Sequence, residues 1–219
     1  VGSPRVAFKQ TVTRTVDGEG KFVKQLGGQG QFGHARIRVE PSTNGKTFEF
    51  VNDVVGGAIP KEFIKAIEQG CHDAAQSGHD LGYPIINVKV TALGGSYHEV
   101  DSSDIAFYQA GRIAFENAME TVPPTLLEPF MKLRVTTPAE FLGGIIGDLN
   151  ARRANVEEID STIEPGQVTV SVPLSEVFGY ASVCRSLSQG RAAFTMEPME
   201  YRPVPSHLVE RLTGMTPAG

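Results

Sequence analysis

Cysteine is scarce. The 219-residue sequence has two, Cys71 and Cys184, far apart along the chain. That number and spacing do not make a disulfide framework, and they predict free thiols in a reducing, cytoplasmic setting. Long apolar runs are missing as well, and no secretory signal is visible, so no membrane partner is expected. Excess positive charge is also missing. The net charge of -5 excludes a globally basic nucleic-acid binder, so any RNA contact has to come from local basic or neutral-polar patches. His34, Cys71, His72 and His79 do not fall at a metal-ligand spacing, and no metal is expected. The sequence shows no internal repeat and no low-complexity run. Its length suits one or two domains, each with its own core. It opens on Val1 rather than methionine, which points to a piece of something longer.

What the sequence does have is a concentrated glycine–glutamine stretch. Lys24-Gln25-Leu26-Gly27-Gly28-Gln29-Gly30-Gln31-Phe32-Gly33-His34 holds four glycines and three glutamines in eleven residues. Phe22-Val23 precedes it. Ala35-Arg36-Ile37-Arg38-Val39 follows it with the period-two alternation of a half-buried strand. The glycines then form the tip of a strand–loop–strand. Glycine admits positive φ and close approach, and glutamine offers a donor and an acceptor without charge. Such a loop suits the reading of nucleic-acid edges or backbone and contains no nucleophile. Gly28-x-Gly30-x-x-Gly33 also matches a dinucleotide fingerprint, but that motif needs a helix after it. Here a strand follows and runs into Glu40-Pro41. The Val-Ala-Ile-Lys, His-Arg-Asp and Asp-Phe-Gly motifs that accompany a kinase glycine loop are absent. A merely tight hairpin stays open as a bland alternative.

Along the rest of the chain, Asp17-Gly18-Glu19-Gly20 reads as a turn and Phe48–Val51 as a strand. Pro60 to Gly78 reads as a helix with Phe63, Ile64, Ile67, Cys71, Ala74 and Ala75 at helical spacing. Ile85–Thr91 reads as a strand and Gly94–Val100 as a loop. A second helix follows, capped from Asp101, Ser102 and Asp104, with Ile105, Ala106, Ala110, Ile113 and Ala114 on one face. Val122-Pro123-Pro124-Thr125 marks a domain boundary. Beyond it the elements are a strand over Phe130–Thr136, a helix opened by the capping box Thr137-Pro138-Ala139-Glu140, strands Val156–Ile163 and Val168–Val172, a helix capped by Ser175, and a strand from Phe194. This β-α-β-β-α-β order fits a ferredoxin-like sandwich. The tail after Pro205 is expected to form one short helix. The second loop, Gly95-Ser96-Tyr97-His98-Glu99-Val100-Asp101-Ser102-Ser103, presents a histidine and a tyrosine among small and acidic residues. It has no nucleophile-elbow pattern, and an ordinary loop histidine is the alternative.

Several motifs in order resemble one family over nearly the whole chain. Gly27-Gly28-x-Gly30-Gln31-Phe32-Gly33-His34, Phe48-Glu49-Phe50-Val51-Asn52, Gly56-Gly57, Ile59-Pro60 and Gly95–Ser103 look like the fourth domain of bacterial elongation factor G. Leu127-Glu128-Pro129, Ile146-Gly147-Asp148-Leu149-Asn150-x-Arg152-Arg153, Pro173-Leu174-Ser175-Glu176-x-Phe178-Gly179-Tyr180-Ala181 and Arg185–Arg191 look like its fifth.

The resemblance implies an α+β chain in two domains. An S5-domain-2-like β-α domain would span 1–123, a ferredoxin-like βαββαβ sandwich 124–205, and a tail 206–219. It implies the C-terminal part of a monomeric translational GTPase, with GTP and Mg bound in a G domain elsewhere. No GxxxxGK[ST] loop is present here, so this piece has no cofactor and no GTP hydrolysis of its own. In that family the fourth domain enters the decoding site of the small subunit and meets tRNA and mRNA. Here that role falls on Gly27, Gly28, Gln29, Gly30 and Gln31, and on Ser96, Tyr97, His98 and Glu99. His98 stands where the eukaryotic and archaeal counterpart carries a modified histidine, which bacterial factors leave unmodified. The fifth domain touches the sarcin–ricin loop of the large subunit, which points to Arg185, Ser186 and Gln189. One departure is Gln29, where the family usually has arginine, and it leaves a recycling or otherwise specialised paralogue open. Of the rivals, a tetracycline ribosomal-protection protein fits the tip motif least. A free-standing RNA-binding protein and a small ferredoxin-like enzyme such as an acylphosphatase are the readings from other classes.

Overall fold

The computed structural model describes residues 5–216. Two compact units make up the chain, one centred on Lys9–Leu126 and one on Leu127–Leu212. Each mixes helices with strands, so the fold class is α+β.

The first unit contains β1 (Lys9–Thr11), β2 (Val16–Leu26), β3 (Gln29–Pro41), β4 (Phe48–Asn52), α1 (Lys61–Ser77), β5 (Val88–Ser96) and α2 (Asp104–Thr121). The sheet runs β2-β3-β5-β4. β3 is antiparallel to both of its neighbours, and β4 lies parallel to β5. Ile37, Val39, Val88 and Val90 from the sheet meet Ile67, Cys71, Phe107 and Phe115 from the two helices in one core. Gln10 bridges Ile85, and Thr11 Oγ1 donates to Ile86 O at 2.7 Å. This bridge is all that the strand expected at Ile85 amounts to; the regular strand starts at Val88.

Other sequence expectations fail in this unit for physical reasons. Asp17-Gly18-Glu19-Gly20 is not a turn. It is straight strand, with Asp17 opposite Arg38 and Gly20 opposite Ala35. Gly18 and Gly20 face α2, where a Cβ on Gly20 would stand 2.1 Å from the Ala110 carbonyl oxygen. The glycines are there for close helix–strand approach, not for chain reversal. Gly94-Gly95-Ser96 is likewise strand, because β3 continues far enough to pair His34 with Ser96. Ile105 is 68% exposed, and the buried side of α2 is Ala106, Phe107, Ala110, Gly111, Ala114, Phe115, Ala118 and Met119. Packing against both the sheet and α1 demands a broad face of small residues at the points of closest approach.

The second unit contains β6 (Thr125–Thr137), α3 (Ala139–Ala151), β7 (Asn155–Asp160), β8 (Gly166–Pro173), α4 (Tyr180–Leu187), β9 (Ala193–Pro203) and the short α5 (Val209–Thr213). Its strands lie in the order β9-β6-β8-β7, all antiparallel. The core joins Leu133, Val135, Val168 and Val170 to Leu142, Ile145 and Leu149 of α3 and Tyr180 and Cys184 of α4. This is the βαββαβ order read from the sequence. Two caps differ. Thr137 pairs with Gly166 as the last residue of β6, and its buried Oγ1 has no partner among the described residues. The Ala139 N–H is instead taken by Glu164 Oε2 at 3.2 Å. Ser175 lies in a 3-10 turn, and α4 begins after Gly179 in the left-handed region.

Both cysteines are free and buried. Burial pushes both thiols above the ordinary cysteine range, so neither is a ready thiolate. Iodoacetamide at mildly alkaline pH is expected to leave both unlabelled in the folded chain and to label both once denaturant is added, read by intact mass.

Candidate nucleic-acid interface

β2 and β3 form a hairpin whose turn is only two residues long. Leu26 pairs with Gln29, and Gly27 and Gly28 make the reversal at φ 57° and 86°. Positive φ at both central positions is the type I′ pattern, whose twist matches that of the flanking strands. The glycine–glutamine stretch is therefore mostly strand, with Gly27, Gly28 and Gln29 exposed at its apex. Gly30 and Gln31 are partly covered because the second loop lies against them.

That second loop, Tyr97 to Ser103, joins β5 to α2. It is fastened to the hairpin at several points. Phe32 N donates to Asp101 O at 2.9 Å, and Phe32 forms a parallel bridge with Ser102. The His98 imidazole stacks on the Phe32 ring, with centroids 3.9 Å apart and planes 17° apart. The Ser102 Oγ accepts from His98 N at 2.9 Å. Ser103 Oγ donates to Gln31 Oε1 at 2.6 Å. Ser103, not Asp101 or Ser102, is the α2 cap, accepting from Ala106 N at 3.2 Å. Together the loops line a cleft of about 270 Å³ with Lys24, Gln25, Gly28, Gly30, Gln31, Phe32, His98 and Asp101 on its walls. Lys21 sits with its ammonium 5.6 Å from the Phe32 ring centroid.

The structure thus brings Gln31 and His98 together at one end of the first unit. Tyr97, His98 and Glu99 are exposed there. Ser96 is different. It closes β5, and its Oγ lies 2.8 Å from His34 Nδ1, whose Nε2 lies 2.6 Å from Glu19 Oε1. The order serine–histidine–carboxylate is that of a hydrolytic triad, but Ser96 sits on a regular strand opposite His34 rather than on a strained strand-to-helix elbow. The chain of bonds ties β2, β3 and β5 at the base of the tip. Sequence reasoning passed over Phe32, Ser103 and Asp101 as working parts. A lone aromatic inside a glycine–glutamine run was the available signal for Phe32.

In the second unit Arg185 and Ser186 lie exposed on the last turn of α4. Gln189 and Gly190 follow at φ 52° and 76°, with Gly190 N donating to Arg185 O at 2.8 Å. Ser188 Oγ donates to Cys184 O and accepts from Ala192 N, which holds the turn. Arg191 is engaged by Glu140 at 3.0 Å and lies over Phe141. Arg185, Ser186 and Gln189 are exposed in this turn, and Arg191 is exposed as well, in its pairing with Glu140.

Comparison with known proteins agrees with this layout. The family description "Elongation factor G, domain IV" matches residues 4–122, and "Elongation factor G C-terminus" matches residues 125–212. Elongation factor G of Aquifex pyrophilus is 49% identical over 219 residues, which is 100% of this chain and 31% of that protein. Elongation factor G of Thermotoga petrophila is 50% identical over 214 residues, 97% of this chain and 31% of that protein. A crystal structure from Thermus thermophilus superposes with a TM-score of 0.87 at 38% identity, over 97% of this chain and 32% of the other. The chain spans about a third of the length of these relatives (31–32%). With both of its units accounted for in order, the chain belongs to the elongation factor G family and carries that family's domain IV followed by its C-terminal domain.

Proposed function

We propose that these two domains supply the RNA contacts of a factor that moves tRNA and mRNA through the ribosome. The observation that carries the reading is the fastening of two sequence-distant loops into one narrow probe bearing Gln31 and His98. Gly27 to Gln31 and Tyr97 to Glu99 meet the tRNA–mRNA duplex at the decoding site, with Ser96 bracing the probe through His34. Narrow glycine turns and neutral polar groups suit the shallow minor groove of A-form RNA, where 2′-hydroxyls and base edges are displayed. Arg185, Ser186 and Gln189 meet the sarcin–ricin loop. GTP hydrolysis, with its Mg, belongs to a G domain outside this sequence, and the factor works as a monomer in the cytoplasm.

In a full-length elongation factor G carrying these domains, His98→Ala and Gln31→Ala are each expected to slow translocation while ribosome-stimulated GTP hydrolysis stays near the parental rate. Losing one polar contact is worth ~1 kcal/mol, a slowing of roughly fivefold. Rapid kinetics reads both steps on the same ribosomes. Abolished hydrolysis with unchanged tRNA movement per GTP would remove the tip from this role.

Gln29 favours a second reading. It is exposed beside the turn and is neutral where the family usually has arginine, which fits a paralogue with a recycling or other specialised role. Recovery of a stronger translocation rate by Gln29→Arg would support that assignment.

A further inference from the structure

Ser103 makes two hydrogen bonds with one hydroxyl. Its Oγ accepts from Ala106 N at 3.2 Å and donates to Gln31 Oε1 at 2.6 Å. A hydroxyl has a single proton to give. As the amide lies, Oε1 faces the Ser103 hydroxyl and takes that proton, and the NH2 group points the other way. Among the described residues, no hydrogen bond engages Gln31 Nε2, and Gln31 lines the tip cleft beside His98. The surrounding backbone has little freedom to slide, because Phe32 N is bonded to Asp101 O and Phe32 bridges Ser102.

We propose that Ser103 is a positioning residue that sets the direction of the Gln31 amide, so that Gln31 offers a donor and takes an acceptor on the RNA. Suitable acceptors are a ribose 2′-oxygen or the N3 and O2 atoms of base edges in the minor groove. The inference rests on the reading of the tip as an RNA probe and adds the hydrogen-bond sense of the contact.

Ser103→Asp separates the two tasks of this residue. Aspartate caps a helix about as well as serine, but an ionised carboxylate only accepts. It would draw the Gln31 NH2 toward itself and turn the carbonyl outward. Ser103→Thr keeps both the cap and the proton. Translocation is measured in a full-length elongation factor G carrying these domains, for Ser103→Asp, Ser103→Thr, Gln31→Ala and the Gln31→Ala/Ser103→Asp pair. The expected result is a parental rate for Ser103→Thr, a loss for Ser103→Asp equal to that of Gln31→Ala, and no further loss in the pair. In the 219-residue chain, the Gln31 side-chain amide resonances should move for Ser103→Asp and stay for Ser103→Thr, at an unchanged melting midpoint. A slow Gln31→Ala beside a parental Ser103→Asp overturns the inference and leaves the tip reading standing. Additive losses in the pair overturn it as well. A parental rate for Gln31→Ala overturns the tip reading, and the inference with it.

Discussion

Gly20→Ala is expected to destabilise the first unit by about 3 kcal/mol and to lower its unfolding midpoint by roughly 10 °C. Gly20 sits in β2 opposite Ala35, with its open side against α2. A methyl group there would lie 2.1 Å from the Ala110 carbonyl oxygen and 2.4 Å from Ala114 N. Both are backbone atoms of a helix, so no side-chain rotation relieves the clash. Either the helix lifts off the sheet or the strand bends away from β3, and each movement opens the core that contains Phe107 and Phe115. Gly143→Ala in α3 is the matched control. A Cβ there meets nothing within 4 Å, so the substitution should raise stability by roughly 0.5–1 kcal/mol through the lower helix cost of alanine. Chemical denaturation of the two variants alongside the parent checks both signs. A Gly20→Ala protein as stable as the parent would mean that α2 is not seated on β2 as described.

Arg153→Ala is expected to cost the second unit about 3–5 kcal/mol, the range for stranding a buried charge. Glu128 is 1% exposed in β6. Arg153 holds it in a fork, Nη2 to Oε1 at 2.8 Å and Nη1 to Oε2 at 3.4 Å. The same guanidinium reaches Glu176 Oε1 through Nε at 3.1 Å, and Arg211 contacts that carboxylate at 3.4 Å. Truncating Arg153 leaves the Glu128 carboxylate out of water without its cation. Arg153→Lys should fall between the two, because a point charge does not reproduce a planar fork shared by two carboxylates. Removing both partners, as Glu128→Leu with Arg153→Met, should recover most of the loss, since a well-packed apolar pair avoids the desolvation of both ions. Urea titrations of the parent, the two single variants and the pair close the cycle. Additive losses from the single changes Glu128→Leu and Arg153→Met would show that the two residues do not act as a pair.

How much of this was legible in the sequence differs from element to element. The alternation of Ala35–Val39 declared β3, and the helical spacing from Ile64 to Ala75 declared α1, because those patterns arise from local backbone geometry. The order of elements after Thr125 was readable for the same reason, and Gly78 marked the end of α1 as a residue with φ 75°. Glycine's second use was not readable. At Gly27 and Gly28 it makes a turn. At Gly18 and Gly20 it makes room for a helix nearly a hundred residues later (Ala110 and Ala114), and nothing local separates the two uses. The caps failed in the same way. Thr137 matched a capping box, but pairing with Gly166 kept it extended in β6. Ser103 was passed over because Asp101 and Ser102 are equally plausible caps until Phe32 pins Asp101 O and Ser102 to the hairpin. For the candidate site, the sequence by itself determined the chemical content of the tip, a glycine turn with Gln31 just after it and His98 on a second, distant segment. Only the tertiary structure decided that the two loops are one object and which way their side chains face, because hydrogen bonds and ring stacking between segments some seventy residues apart (Gln31 and Ser103) depend on where the sheet register and the α2 cap place them.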